Sequence, residues 1–225
     1  MDHATAIESM LKNLDRWRHL PKYQLERRAD LFFGLFMHDI ISDRFSRKVH
    51  QIIIPEFPYS NNKTTKTTVN FDYVLLSEDC STAYIVELKT DTKSIRKEQE
   101  DYLKLARKMN FMENIKNLIT VYSATKQKGK YRNLFELLEE LNFLSWDDNE
   151  LKYKPLLDVA SSPQIQVVYV TPKLDEEKMS EISEYAEVIL FDEIANFLNG
   201  RGPVETLFAD HLRLWDQITA GELNG

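Results

Sequence analysis

Apolar side chains recur at three- and four-residue steps over residues 4–19 and 23–45 of this 225-residue chain, a spacing that predicts two amphipathic helices. Pro21 ends the first of them. Later helices are predicted over 97–109, from there to about residue 122, over 131–144 and over 192–218, the last with a break at 200–203. Helices therefore open the chain and dominate its second half.

Short apolar runs between these helices are typical of strands. They cover residues 49–54, 69–76, 83–88, 165–170 and 188–191. Pro55 and Pro58, at the end of the first run, suit a strand terminus or a sheet edge. Residues 60–68 and 145–155 are polar, and they predict a loop and a polar excursion. The order of helix, three strands, helices and strand predicts the α/β class, with a mixed sheet that contains an early antiparallel meander and is flanked by helices.

Length and composition favour a single domain over residues 1–225. We divide it into an N-terminal helical extension (1–21), a core (22–172) and a C-terminal strand and helix addition (173–225). Cys80 is the only cysteine, which excludes a disulfide framework and a cysteine zinc site. With neither a secretory signal nor an apolar run long enough for a membrane span, a cytoplasmic protein is expected. Two glycines before residue 200 exclude a P-loop or dinucleotide turn there.

The second and third strands bring two carboxylates together. If residues 77–82 form a hairpin loop, Asp72 lies directly opposite Glu87, and their Cβ atoms are about 4.5–5.5 Å apart. Lys89 is two residues beyond Glu87, so it emerges on the same face. Opposed carboxylates repel each other, and a divalent cation would neutralise them. Mg²⁺ typically takes one or two protein carboxylates, water and phosphate oxygens. The sequence therefore predicts a site that can hold a metal against a phosphodiester.

This arrangement of Asp72 and Glu87-Leu88-Lys89, between a preceding and a following helix, resembles the PD-(D/E)XK nuclease superfamily. The resemblance implies a restriction-endonuclease-like fold with an αβββαβ core, Mg²⁺ or Mn²⁺ as cofactor, and DNA as substrate. It makes Asp72, Glu87 and the Leu88 carbonyl metal ligands and Lys89 the catalytic lysine. Glu26, early in the first core helix, is similar in placement to a glutamate of archaeal Holliday-junction resolvases. Gln99 and Tyr102, on the helix after the lysine strand, resemble a Gln and Tyr pair of other members, and Gln99 could orient the site or be a plain surface residue.

Simpler explanations exist for each of these residues. Asp72, Glu87 and Lys89 could form a solvated cross-strand ion pair, and Glu26 could pair along its own helix surface. Glu56, at the end of the first strand, could be a further acidic ligand or an exposed turn residue. The Glu-x-Lys pattern occurs three times, also at Glu150 and Glu176, so only the structural context singles out Glu87.

The net charge of −7 is an average over unlike regions. Residues 93–132 contain eleven Lys or Arg and four acids, which gives this window +7 and the remainder −14. A basic segment directly after Lys89 could bind phosphates, or it could be an ordinary solvated helix face. The expected function is that of a metal-dependent nuclease acting on DNA. No association with a membrane is expected. The alternative is a catalytically inactive module of the same fold that binds nucleic acid or a protein partner. A homodimer is an assembly state that the sequence leaves open.

Overall fold

A computed structural model describes residues 3–20, 24–60, 68–126 and 128–223. The helices of this part of the chain are α1 (His3–Trp17), α2 (Glu26–Phe45), α3 (Lys97–Arg107), α4 (Phe111–Ala124), α5 (Gly129–Glu140), α6 (Glu176–Ser183), α7 (Phe191–Leu198) and α8 (Pro203–Leu223). The strands are β1 (Ile54–Ser60), β2 (Thr68–Leu76), β3 (Thr82–Leu88), β4 (Leu144–Asp147), β5 (Lys152–Pro155), β6 (Gln164–Thr171) and β7 (Glu187–Leu190). The predicted helix end at Pro21 and most of the predicted loop at 60–68 lie outside the described residues.

Five strands form a mixed sheet in the order β1-β2-β3-β6-β7, and helices flank it. The first three strands are an antiparallel meander, and β6 pairs with β7 in parallel. The Gln164 amide donates a hydrogen bond to the Ser81 carbonyl, just before β3, and the Lys89 amide, just after β3, donates one to the Val170 carbonyl. The partners occur in the same order along both segments, so β3 and β6 also run parallel. The predicted α/β class with an early meander is confirmed.

The hairpin of β2 and β3 has the predicted register. Leu76 pairs with Ala83 and Val74 with Ile85, and the observed pairing ends at Tyr73–Val86. The Ser77–Ser81 turn is held by Asp79, whose Oδ1 accepts hydrogen bonds from both serine hydroxyls and from the Ser81 amide. These bonds, led by the one from Ser77, lower the pKa of Asp79 to about 2.

The first strand and the polar excursion differ from prediction. β1 begins at Ile54 and runs through both prolines, whereas Val49 lies outside this strand and forms an isolated bridge to Ser77. Prolines are tolerated in it because β1 is an end strand of the sheet. Residues 145–155 contain a second hairpin, β4–β5, in which the rings of Trp146 and Tyr153 meet edge to face at 5.0 Å.

The chain forms two compact units. The first comprises the described parts of residues 1–46, 87–100 and 168–225, and its core gathers aromatic rings from α2 and α8 around the fully buried Phe208. The second comprises the described parts of residues 47–86 and 101–167, and Phe111 stacks on Phe57 and meets Phe143 edge to face in its core. The predicted division into extension, core and addition stays a prediction.

Within the described residues, no helix combines the length and the apolar character needed to cross a membrane.

Helix α2 is one of the longest, and its buried face includes Phe32, Phe33 and Met37. Leu31 and Leu35, which its spacing assigns to the apolar face, are instead exposed to 75% and 63%.

Candidate active site

The segment Glu87-Leu88-Lys89 closes β3 in the first unit. The Lys89 amide donates to the Val170 carbonyl at 2.8 Å, so strand-like pairing continues one residue past the end of β3. Side chains alternate along such a backbone, which places Glu87 and Lys89 on one face and Leu88 on the other. Both charged residues are almost fully buried, with 1% and 2% exposure. Charged side chains are rarely buried to this extent unless they are paired.

Three oxygen atoms surround the Lys89 ammonium. Its Nζ lies 2.8 Å from Glu87 Oε1, 2.8 Å from the Leu88 carbonyl oxygen and 3.6 Å from Glu26 Oε2. The Glu26 side chain is 34% exposed, so one side of the cluster reaches solvent. Glu26 therefore contacts Lys89, and the structure brings together four residues that the sequence assigns to the site.

Gln99, in the first turn of α3, supports the buried carboxylate. Its Nε2 donates to Glu87 Oε1 at 3.0 Å. Its Oε1 is buried and has no hydrogen-bond partner among the described residues. An unsatisfied buried amide oxygen is costly unless a donor or a cation completes the site.

The donor set fits a hard cation. The Glu87 carboxylate, the Leu88 carbonyl and the Glu26 carboxylate already surround a positive charge, and Gln99 Oε1 adds an orphaned buried oxygen nearby. Mg²⁺ and Mn²⁺ favour such oxygen ligands. No group of three or more His, Cys, Asp or Glu side chains suited to a metal occurs among the described residues. A magnesium site needs only one or two carboxylates together with water.

A cavity of about 410 Å³ opens beside this cluster, within the same unit. Lys89, Glu26 and Gln99 line it, and three arginines join them: Arg18, Arg27 and Arg96. No side-chain hydrogen bond or ion pair links Arg27 or Arg96 to another described residue. The cavity thus combines an acid–lysine cluster with guanidinium groups, the side chains best suited to binding phosphate.

Sequence reasoning missed these arginines individually. Arg18 and Arg27 flank the junction of α1 and α2, far from Lys89 in the chain, and no spacing rule links them to it. Arg96 does belong to the basic window after Lys89, and that window is the one signal that pointed to it.

The remaining predicted ligands, Asp72 and Glu56, lie in the second unit. In the antiparallel pairing of β1 with β2, Pro55 pairs with Tyr73 and Phe57 pairs with Phe71. Glu56 and Asp72 lie between these two pairs and are therefore opposite each other. Glu56 Oε2 accepts a hydrogen bond from Asn70 at 3.3 Å, and Asn70 and Asp72 share a face of β2. Glu56 has a φ of 50°. The pairing of Asp72 with Glu87 lies one step beyond the observed register and stays a prediction.

A second buried acid in the first unit was not predicted. Glu100 is 8% exposed, and its carboxylate lies 3.3 Å from Lys178 Nζ. Burial raises the pKa of the neighbouring Tyr185 well above its usual range, and the carboxylates of Glu100, Glu87 and Glu181 raise it further. Carboxylates in α3 and β3 therefore act electrostatically on this one phenol.

The structural context separates the three Glu-x-Lys sequences. In Glu150-Leu151-Lys152 the acid and the lysine are 47% and 51% exposed and pair at the β4–β5 turn. In the Glu176 copy, Lys178 is 39% exposed and pairs with Glu181. Only at Glu87 are both the carboxylate and the ammonium buried.

Comparisons with protein-family models, with curated proteins and with solved structures return no match for this chain.

Proposed function

We propose that this protein is a metal-dependent nuclease of the PD-(D/E)XK type that hydrolyses phosphodiester bonds in DNA. The observation that carries this proposal is the buried Glu87–Lys89 pair, which ends a strand beside an arginine-lined cavity. A solvated surface ion pair, the simplest alternative, does not account for side chains that are only 2% exposed.

The order of elements supports the proposal. Helix α2, the meander β1–β2–β3, helix α3 and the parallel strand β6 have the chain order of an αβββαβ core, with α4, α5 and the β4–β5 hairpin inserted between α3 and β6. The expected restriction-endonuclease-like fold would use this sheet order, and it would place its metal site where β3 ends.

Mg²⁺ or Mn²⁺ is the proposed cofactor, held by Glu87, the Leu88 carbonyl and Asp72. Glu26 and Glu56 are the further candidate ligands. When bound, the ion would polarise a phosphoryl oxygen and make a water molecule more acidic.

The chain's own residues would then orient the reaction. Lys89, held by Glu87 and Glu26, presents a positive charge to the attacking water or to the developing charge on the phosphate. Gln99 fixes the Glu87 carboxylate through its amide nitrogen. Arg27 and Arg96 bind phosphate groups of the DNA, since their guanidinium groups line the cavity.

The test is cleavage of linear, circular and branched DNA with Mg²⁺, with Mn²⁺ and with EDTA. The chain offers a matched pair of variants, because Glu-Leu-Lys occurs twice. Glu87→Gln should reduce cleavage on the order of 10²-fold or more, since it removes a ligand charge. Glu150→Gln should leave the rate unchanged. Circular dichroism checks that both variants are folded.

Calorimetry of Mn²⁺ binding tests the metal separately. Wild type should bind Mn²⁺, and Asp72→Ala should bind it about tenfold or more weakly. Cleavage that persists in EDTA or in Glu87→Gln would overturn the proposal. DNA binding without cleavage under any metal condition would instead favour the inactive-module alternative.

A further inference from the structure

An apolar groove of about 820 Å³ lies between α1 and α2 in the first unit. Four large apolar side chains line it and remain exposed: Leu31 (75%), Leu35 (63%), Met10 (53%) and Trp17 (45%). Single exposed apolar residues are ordinary, but a contiguous group of this size marks an interaction surface.

Two residues of opposite charge lie on one side of the Leu31–Leu35 stripe of α2, one before it and one after it. Arg28, which lines the groove, lies one turn before Leu31, and Asp39 lies one turn after Leu35. Eleven residues separate Arg28 from Asp39, which is about three helical turns, so both lie on the same flank of the leucine stripe. Neither side chain is buried.

We propose that this groove is the interface between two copies of this chain, packed with their α2 helices antiparallel about a two-fold axis. The axis would pass at the level of residue 33, where it sets Leu31 of one copy beside Leu35 of the second. Arg28 then faces Asp39 of the second copy, offset along the helix by about one residue, or 1.5 Å. Because the axis is two-fold, the Leu31–Leu35 and Arg28–Asp39 contacts each occur twice in the interface.

The charge pattern selects a second copy, and this orientation, as the occupant. In a parallel arrangement Arg28 would face Arg28, and like charges repel. In the antiparallel arrangement the flank is complementary to itself, as a two-fold interface requires. The proposal does not depend on the nuclease function.

Sedimentation velocity of the full chain across a concentration series tests the proposal. Wild type should dimerise, and Leu31→Glu should raise the dimer Kd by at least about 100-fold, because it removes apolar burial at two symmetry-related positions. Leu105→Glu, on an α3 surface position exposed to 50%, is the matched control and should leave the Kd unchanged. Leu31 is exposed, so the variant keeps its fold, which circular dichroism checks.

Charge exchange tests the register. Arg28→Asp and Asp39→Arg should each raise the Kd by roughly tenfold, and the double exchange should restore it. A wild type that stays monomeric at about 100 µM would overturn the proposal. So would a dimer that tolerates Leu31→Glu, or a double exchange that fails to restore binding. A monomer that captures an acidic amphipathic helix would assign the groove to another partner and equally refute self-pairing.

Discussion

Replacing Lys89 with methionine isolates the contribution of its charge. Methionine has nearly the length of lysine and fills the buried site, but it leaves Glu87 without its ammonium partner at 2.8 Å. The Glu87 side chain is only 2% exposed, so water cannot replace that partner without local opening.

The expected cost follows from burial. Removing one partner of a buried ion pair typically costs about 3–5 kcal/mol, because the remaining charge is desolvated and uncompensated. The second carboxylate, Glu26, contributes less, since it is 34% exposed and 3.6 Å from the ammonium. We therefore expect Lys89→Met to lower the free energy of unfolding by about 3–5 kcal/mol.

Urea denaturation measures this cost, and Lys154→Met provides the matched control. Lys154 also contacts two carboxylates, Asp147 at 2.6 Å and Glu150 at 2.5 Å, but these groups are partly exposed. Solvent screens such pairs, so the urea midpoint of Lys154→Met should hardly move. The double variant Glu87→Gln/Lys89→Met, which buries no unpaired charge, should recover part of the loss. Equal midpoint shifts for Lys89→Met and Lys154→Met would refute the reasoning.

Four further predictions rest on separate contacts. Gln99→Leu should lower the free energy of unfolding by roughly 2 kcal/mol, because it removes a hydrogen bond to the charged Glu87; an unchanged urea midpoint would contradict this. Phe208→Ala should cost about 3–5 kcal/mol, since this ring is fully buried among four aromatic neighbours, and thermal unfolding measures it. Carbon NMR should show the Asp79 carboxylate titrating near pH 2, and a midpoint near 3.8 would refute this. Because folding lowers the pKa of Asp79, the stabilisation from this carboxylate is present above about pH 4 and is lost as the pH falls towards 2. Arg96→Ala should reduce the slope of log K for DNA binding against log salt concentration by about 0.9, and an unchanged slope would exclude Arg96 as a phosphate contact.

The hairpin register was predictable because each strand carries a clear apolar face and the turn between them is short. Val74 and Ile85 had to pair once residues 77–82 formed the loop, and the structure confirms this pairing. Glu87 and Lys89 followed from the same alternation. Their burial did not, because it depends on the side chains of α2 and α3.

Other features depend on contacts that local periodicity does not encode. The β4–β5 hairpin contains few aliphatic residues. Its pairing rests on the ring contact between Trp146 and Tyr153 and on Asp147. The Asp147 carboxylate accepts hydrogen bonds from the backbone amides of Asn149 and Glu150 in the turn. The aromatic pair flanking a run of turn residues was the available signal. Leu31 and Leu35 satisfy helical spacing and yet face outwards, since spacing assigns residues to a face but does not show what covers that face.

The two prolines of β1 have a consequence for aggregation. An end strand normally presents a row of amide and carbonyl groups on which a foreign strand can assemble. Neither Pro55 nor Pro58 has an amide hydrogen, and the left-handed backbone of Glu56 interrupts the regular pleat between them. An incoming strand would find no continuous ladder at this edge, so the chain is protected there against the strand-by-strand growth that leads to amyloid.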